Sequence, residues 1–202
     1  MFHKSKKISP ESYLSGKRIG IAGLGPGCGV THISVAVANY LSEAEKRKVC
    51  LFEQNRHNDI IHLTVALGSD LSKPFFTHHR VTYFPSFTGT LPECASDLNC
   101  DCMVFDFGND FRSALGRLML CDIKIIVGTD AYWKKDEYCS FSNFTKDFTS
   151  LNSWRLFVNL GDVKRIKEKD GFAITVCCFP FEPDPVYPGK ETITFLREAI
   201  FG

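Results

Sequence analysis

Between Gly23 and His32 the chain reads GLGPGCGVTH. Glycines at 23, 25, 27 and 29 allow a ligand to approach the backbone N–H groups closely. Thr31 and His32 then open a helical pattern, whose dipole favours an anion at its start. The chemistry of such a stretch is phosphate binding, carried by main-chain amides. Gly25, Gly27, Cys28, Gly29, Val30, Thr31 and His32 are the candidate cofactor-binding residues of the loop. Loops of this kind place a lysine directly before their Ser/Thr. Here that residue is Val30, so the cradle lacks its principal charge.

A second candidate lies far along the chain. Asp106 closes the apolar run Cys102–Phe105 (CMVF). A hard cation such as Mg²⁺ takes oxygen ligands, and an acidic strand end beside a phosphate loop supplies one. The Thr31 hydroxyl supplies another, which makes Thr31 and Asp106 the candidate metal ligands should a nucleotide bind. Other polar groups carry less. Cys100-Asp101-Cys102 and Cys177-Cys178 lack C-x-x-C spacing and read as small buried hydrophobes. His57, His62, His78 and His79 read as surface or loop residues. Trp133, in the DAYWKK segment after a strand end, reads equally as a partner contact or as a residue packed on the sheet.

These residues need a frame. Arg18–Ala22 (RIGIA) reads as a buried strand, and Ile33, Val37, Tyr40, Leu41 and Ala44 form one stripe of the helix after the loop. Val49–Phe52 (VCLF) is apolar on successive positions, the mark of a strand covered on both faces. Further strands are expected at Arg80–Phe84, Cys102–Phe105, Ile123–Val127, Trp154–Val158 and Phe172–Cys178. Helices are expected after the second strand, at Phe111–Leu120, at Lys135–Phe148 and around Ile193–Ile200, and Gly89–Leu98 is a loop or weak helix. The alternation predicts an α/β fold: a single doubly wound, mostly parallel sheet of about seven strands with helices on both faces. Ligands in such sheets bind at the carboxyl ends of strands, where Glu53, Asp106, Asp130, Asn159 and Pro180 all fall.

Residues 1–16 are a polar lead-in, and 17–202 are expected to form one α/β domain. A net charge of +1 provides no bulk attraction to nucleic acid. No apolar run is long enough to span a bilayer. Nine cysteines, an odd number, and an N-terminus without an apolar core point to a reduced, cytoplasmic protein. Eighteen phenylalanines predict an aromatic interior.

The order of elements resembles the MinD/ParA-type P-loop ATPases, whose deviant Walker A loop reads KGGxGK[ST]. Gly25–Thr31 (GPGCGVT) aligns with it without gaps and matches at Gly27, Gly29 and Thr31. The signature lysine is Gly25, the first glycine is Pro26 and the Walker lysine is Val30. The family's D-x-D is similar to Glu53-Gln54-Asn55, and its Walker B end to Asp106-Phe107-Gly108. Its adenine-binding Asn is matched by Asn159, and its I-P-x-D loop resembles Phe179-Pro180-Phe181-Glu182. The resemblance spans roughly residues 17–200.

The resemblance implies ATP or ADP with Mg²⁺ as cofactor, Asn159 and Pro180 on the adenine side, and protein partners that include a homodimer. Phosphoryl transfer needs cations on the developing charge, and both family lysines are absent. Lys17 and Arg18 lie at the far end of the first strand, so no nearby cation is expected to replace them. The expected protein is a degenerate MinD/ParA-like scaffold for localisation or assembly, without catalytic residues. A pilus or secretion role follows by analogy. The alternatives are a slow ATPase completed by a partner or second subunit, and an Fe–S or redox relative. The last helix carries Lys190, Glu191, Arg197 and Glu198, so packing on the sheet is expected over contact with a membrane.

Overall fold

The computed structural model describes residues 16–89, 99–146, 148, 151–162 and 174–201. The lead-in up to residue 15 and the segment 90–98 lie outside the described residues. The strands are β1 (Lys17–Gly23), β2 (Val49–Glu53), β3 (Phe76–His78), β4 (Val81–Phe84), β5 (Cys102–Asp106), β6 (Ile123–Thr129), β7 (Trp154–Asn159) and β8 (Thr175–Phe179). The helices are α1 (Val30–Glu43), α2 (Asp59–Ala66), α3 (Phe111–Leu118), α4 (Lys135–Thr145) and α5 (Lys190–Phe201), with a 3₁₀ turn at Tyr132–Lys134.

The strands form one sheet in the order β3-β4-β2-β5-β1-β6-β7-β8. All pairings are parallel except β3–β4. From β1 the chain builds outward through β2 and β4, returns to place β5 beside β1, then continues on the other side. The loop after β1 therefore sits at the topological switch point, where open α/β sheets bind ligands.

Successive residues of each inner strand feed different cores. Ile19, Ile21, Val49, Leu51, Val104, Ile125 and Val127 join α1 and α5 on one face. Cys50, Phe52, Met103, Phe105 and Ile126 join α3 and α4 on the other. This double burial is why these strands read as continuous apolar runs. The expected aromatic interior is present: Phe52 stacks on Phe84 at 4.7 Å and on Phe105 at 5.1 Å across three adjacent strands. On the opposite face, α5 packs Leu196, Ala199 and Ile200 inward, and its Phe195 lies 5.0 Å from the Phe157 ring.

Among the described residues the sheet has eight strands where about seven were expected. The extra strand, β3, forms a hairpin with β4 in which His78 opposes Val81, and the intervening His79 has φ of 53°. Such turns usually declare themselves by Asn-Gly or Asp-Gly. His79-Arg80 gives no such signal. The last strand runs 175–179 rather than 172–178, and residues 172–173 lie outside the described set.

Candidate functional site

The start of the glycine loop is pinned on both sides, by the turn after β5 and by β6. The Gly23 N–H donates to the Gly108 carbonyl and the Leu24 N–H to Val127, both at 2.8 Å. Gly27 and Gly29 have φ of 75° and 88°, left-handed geometry that turns successive N–H groups into a concavity. Gly29 precedes α1, whose start has no side-chain cap and no acidic residue in its first turn. The free N–H groups and the dipole there favour an anion. Gly27, Cys28, Gly29, Val30, Thr31 and His32 line a cavity of about 370 Å³, closed on the other side by His57, Asp59, Gly108 and Asn109.

Val30 does not present its side chain as the missing lysine would. It is 6% exposed and belongs to the core beneath α1. A Cβ placed on Gly23 would come within 2.8 Å of Val30 Cγ2 and 2.5 Å of Cys28 Sγ. Glycine at 23 thus makes room for two apolar side chains that turn inward.

Asp106 ends β5 with no exposed surface. Its Oδ1 accepts from the Gly108 N–H and from Asn55 Nδ2, each at 2.9 Å, whereas the buried Oδ2 has no hydrogen-bond partner. Burial raises its pKa, outweighing the lowering effect of the nearby Thr31 hydroxyl and of the Gly108 and Asn55 donors. An orphaned, desolvated carboxylate oxygen suits a cation. Among the described residues no three His, Cys, Asp or Glu side chains converge as a metal-binding group. Mg²⁺ here would rest on Asp106 and Thr31 together with oxygens of the ligand, a set that fits its chemistry.

Glu53, matched to the family's acidic motif, faces Asp106 in register but has a structural task. Its Oε1 accepts from the Asp59 and Ile60 N–H groups at 2.6 and 3.3 Å, capping α2, and its Oε2 accepts from Ser86. Burial raises its pKa as well. The carboxylate that meets Thr31 is Asp59, which accepts from the hydroxyl at 3.3 Å.

Asn159 reaches the loop from the end of β7, donating through Nδ2 to the Cys28 carbonyl at 3.1 Å. Pro180 follows β8, one strand further out, and does not line the loop cavity. Beyond it, Glu182 caps its own turn, accepting from Asp184 and Gly189 N–H groups.

One expectation about charge is corrected. Lys17 does lie away from the loop, paired with Asp122 at 3.3 Å. A different cation reaches it: Lys134 Nζ donates to the Pro26 carbonyl at 3.1 Å and to Glu137 Oε1 at 2.7 Å. Glu137 lies against Gly25, its carboxylate within 2.2 Å of where a Cβ would stand. The signature-lysine position thus abuts a glutamate. Lys134 and Pro26 are 108 residues apart, so spacing gave no clue. His57, Asp59 and Asn109 were also missed as cavity residues, because each looks like ordinary loop or cap chemistry. His57, Gly108 and Asn109 also line a larger cavity of about 930 Å³, where Arg117 stacks 4.9 Å above Phe107.

No protein-family model and no curated protein matches the chain in sequence. Solved structures match it in shape. A plasmid partition protein of Borrelia burgdorferi bound to AMPPNP is 17% identical, with TM-score 0.62 over 93% of this chain and 98% of that one. MinD cell division protein of Aquifex aeolicus is 16% identical, with TM-score 0.66 over 93% and 97%. The chain has the MinD/ParA-like P-loop ATPase fold. Cobyrinic acid a,c-diamide synthase of Mycobacterium smegmatis, with a bound ATP analogue and magnesium, shares this fold at 14% identity and TM-score 0.62 over 91% and 92%. The MinD/ParA-like fold accounts for the sheet order and for the position of the loop.

Proposed function

We propose that this chain is a cytoplasmic, nucleotide-binding protein of MinD/ParA-like fold that holds ATP or ADP without efficient hydrolysis and serves as a localisation or assembly scaffold. The observation that carries this reading is Val30, buried at 6% exposure where a catalytic cation would stand. Amides of Gly27–Thr31 would take the phosphates, and Asp106 and Thr31 would hold Mg²⁺, which neutralises phosphate charge on binding. Asn159 keeps the loop in shape from the adenine side. Structures of this fold with AMPPNP, or with an ATP analogue and magnesium, support the cofactor class.

Transition-state stabilisation is what the loop lacks. In phosphoryl transfer the protein works by neutralising charge, and removing such a group costs powers of ten in rate. Burying the side chain at position 30 therefore separates binding from turnover.

A partner role is supported by exposed apolar residues at the same edge of the sheet. Tyr132, Trp133, Leu160 and Phe181 are between 70% and 82% exposed. They follow β6, β7 and β8, three neighbouring strands. Surfaces of this kind mark protein contacts. They also favour the second reading, an ATPase completed by a partner docked beside the loop. Equilibrium titration with Mg-ATP, alongside Thr31→Ala and Asp106→Ala, tests the site. Binding by the parent protein that both variants weaken is expected; affinity untouched by either places the nucleotide elsewhere.

A further inference from the structure

We propose that Lys134 supplies to a bound nucleotide's phosphate chain the positive charge that Val30 does not. The inference rests on the nucleotide reading of the loop and deepens it: the cation comes from the turn after β6 instead of from α1.

Three observations converge. Lys134 Nζ stands 3.1 Å from the carbonyl of Pro26, directly beside Gly27, the first loop residue lining the cavity. Its side chain is 18% exposed, so its charge is only partly screened by solvent. Its position is fixed from both sides, by Pro26 and by Glu137 Oε1 at 2.7 Å. An ammonium carries three N–H donors. Two are directed at Pro26 and Glu137, which leaves one for a phosphate oxygen.

Glu137 gives the arrangement its logic. Its carboxylate lies against Gly25. An uncompensated carboxylate at the loop would repel a phosphate chain. Lys134 both neutralises Glu137 and carries a donor toward the anion. The ion pair thus holds a long, flexible side chain in place before the ligand arrives, reducing the entropy lost on binding.

The test is calorimetric titration of the full chain with AMP, ADP and ATP in the presence of Mg²⁺. Lys134→Ala is expected to weaken ADP and ATP about tenfold, the loss of one charge-assisted hydrogen bond, and to leave AMP affinity nearly unchanged. Lys134→Arg keeps most of the affinity, and Glu137→Gln tightens ATP because the lysine's charge is no longer shared. The double variant Lys134→Ala/Glu137→Gln stays weaker than Glu137→Gln alone. Melting curves verify that each variant is folded. Parent-level ATP affinity in Lys134→Ala overturns the inference and leaves the nucleotide reading standing. Equal weakening of AMP and ATP overturns it in favour of a merely structural role for the lysine. A double variant that binds ATP as tightly as Glu137→Gln alone overturns it too, because repulsion by Glu137 would then explain the whole effect. Absence of any binding by the parent protein overturns the nucleotide reading, and this inference with it.

Discussion

The side-chain amide of Asn159, at the end of β7, donates to the Cys28 carbonyl at 3.1 Å and so ties the outer half of the sheet to the glycine loop. The contact is close enough to dictate the residue opposite. A Cβ on Gly29 would lie 2.4 Å from Asn159 Nδ2. Loop conformation and strand end are thus one unit.

Asn159→Ala removes that tie and leaves the Cys28 carbonyl without its donor. The expected cost is about 1 kcal/mol of stability. Hydrogen exchange should accelerate at Gly27–Val30 before it does in the inner strands, a local loosening that exchange mass spectrometry resolves.

Gly29→Ala faces two obstacles at once. The position has φ of 88°, and the new methyl would collide with Asn159. Left-handed strain alone costs on the order of 1–3 kcal/mol. Chemical denaturation should show the loss, and the double variant with Asn159→Ala should recover part of it because the collision is relieved. Gly27→Ala has the same strain without a neighbour in contact, so it should cost less.

Val30→Lys does not simply rebuild an enzyme. The parent side chain packs in the core beside Cys28 and Ile33. A lysine must either bury its charge or leave a gap, so the melting temperature should fall by a few degrees without ligand. Stabilisation by Mg-ATP should increase, because the cation can turn toward phosphate. Phosphate release should stay at background, since position 25 still carries glycine in place of the signature lysine. Turnover restored by this one change would contradict the assignment of Gly25.

Asp106 carries a pH signature. Its folded pKa is raised above the ordinary 3.8 by burial. The folded state therefore binds the proton more tightly than the unfolded chain. Stability from this group is fully present below the ordinary value and is lost as pH rises through the raised one. Asp106→Asn removes that loss and keeps an acceptor for Asn55 and Gly108. Its melting temperature should exceed the parent's by a few degrees at neutral pH, and the gain should vanish below about pH 4. Magnesium-dependent nucleotide affinity should fall in the same variant. Scanning calorimetry at several pH values checks the first claim and titration the second.

Much of this was legible in the chain itself. Val49–Phe52 and Cys102–Phe105 announce a doubly covered sheet because every position is apolar. The loop, Thr31 and Asp106 declare themselves by residue type at strand and helix ends. β3 stayed hidden because Phe76–His78 is short and turns through His79 without glycine. Lys134 and Glu137 stayed hidden because their meeting with Gly25 and Pro26 depends on β6 lying beside β1. Glu53 read as a site acid by its place at the end of β2, yet its oxygens are taken up by the start of α2 and by Ser86. Contacts made by topology leave no mark on local spacing.

A site that binds without turnover holds its nucleotide intact. Incubating the purified protein with Mg²⁺ and ATP labelled on the γ-phosphate, then separating bound from free label, tests it directly. Unhydrolysed ATP should be retained with the protein, and free phosphate should be no higher than in a protein-free control. Phosphate released above that control, and abolished by Asp106→Ala, would contradict it.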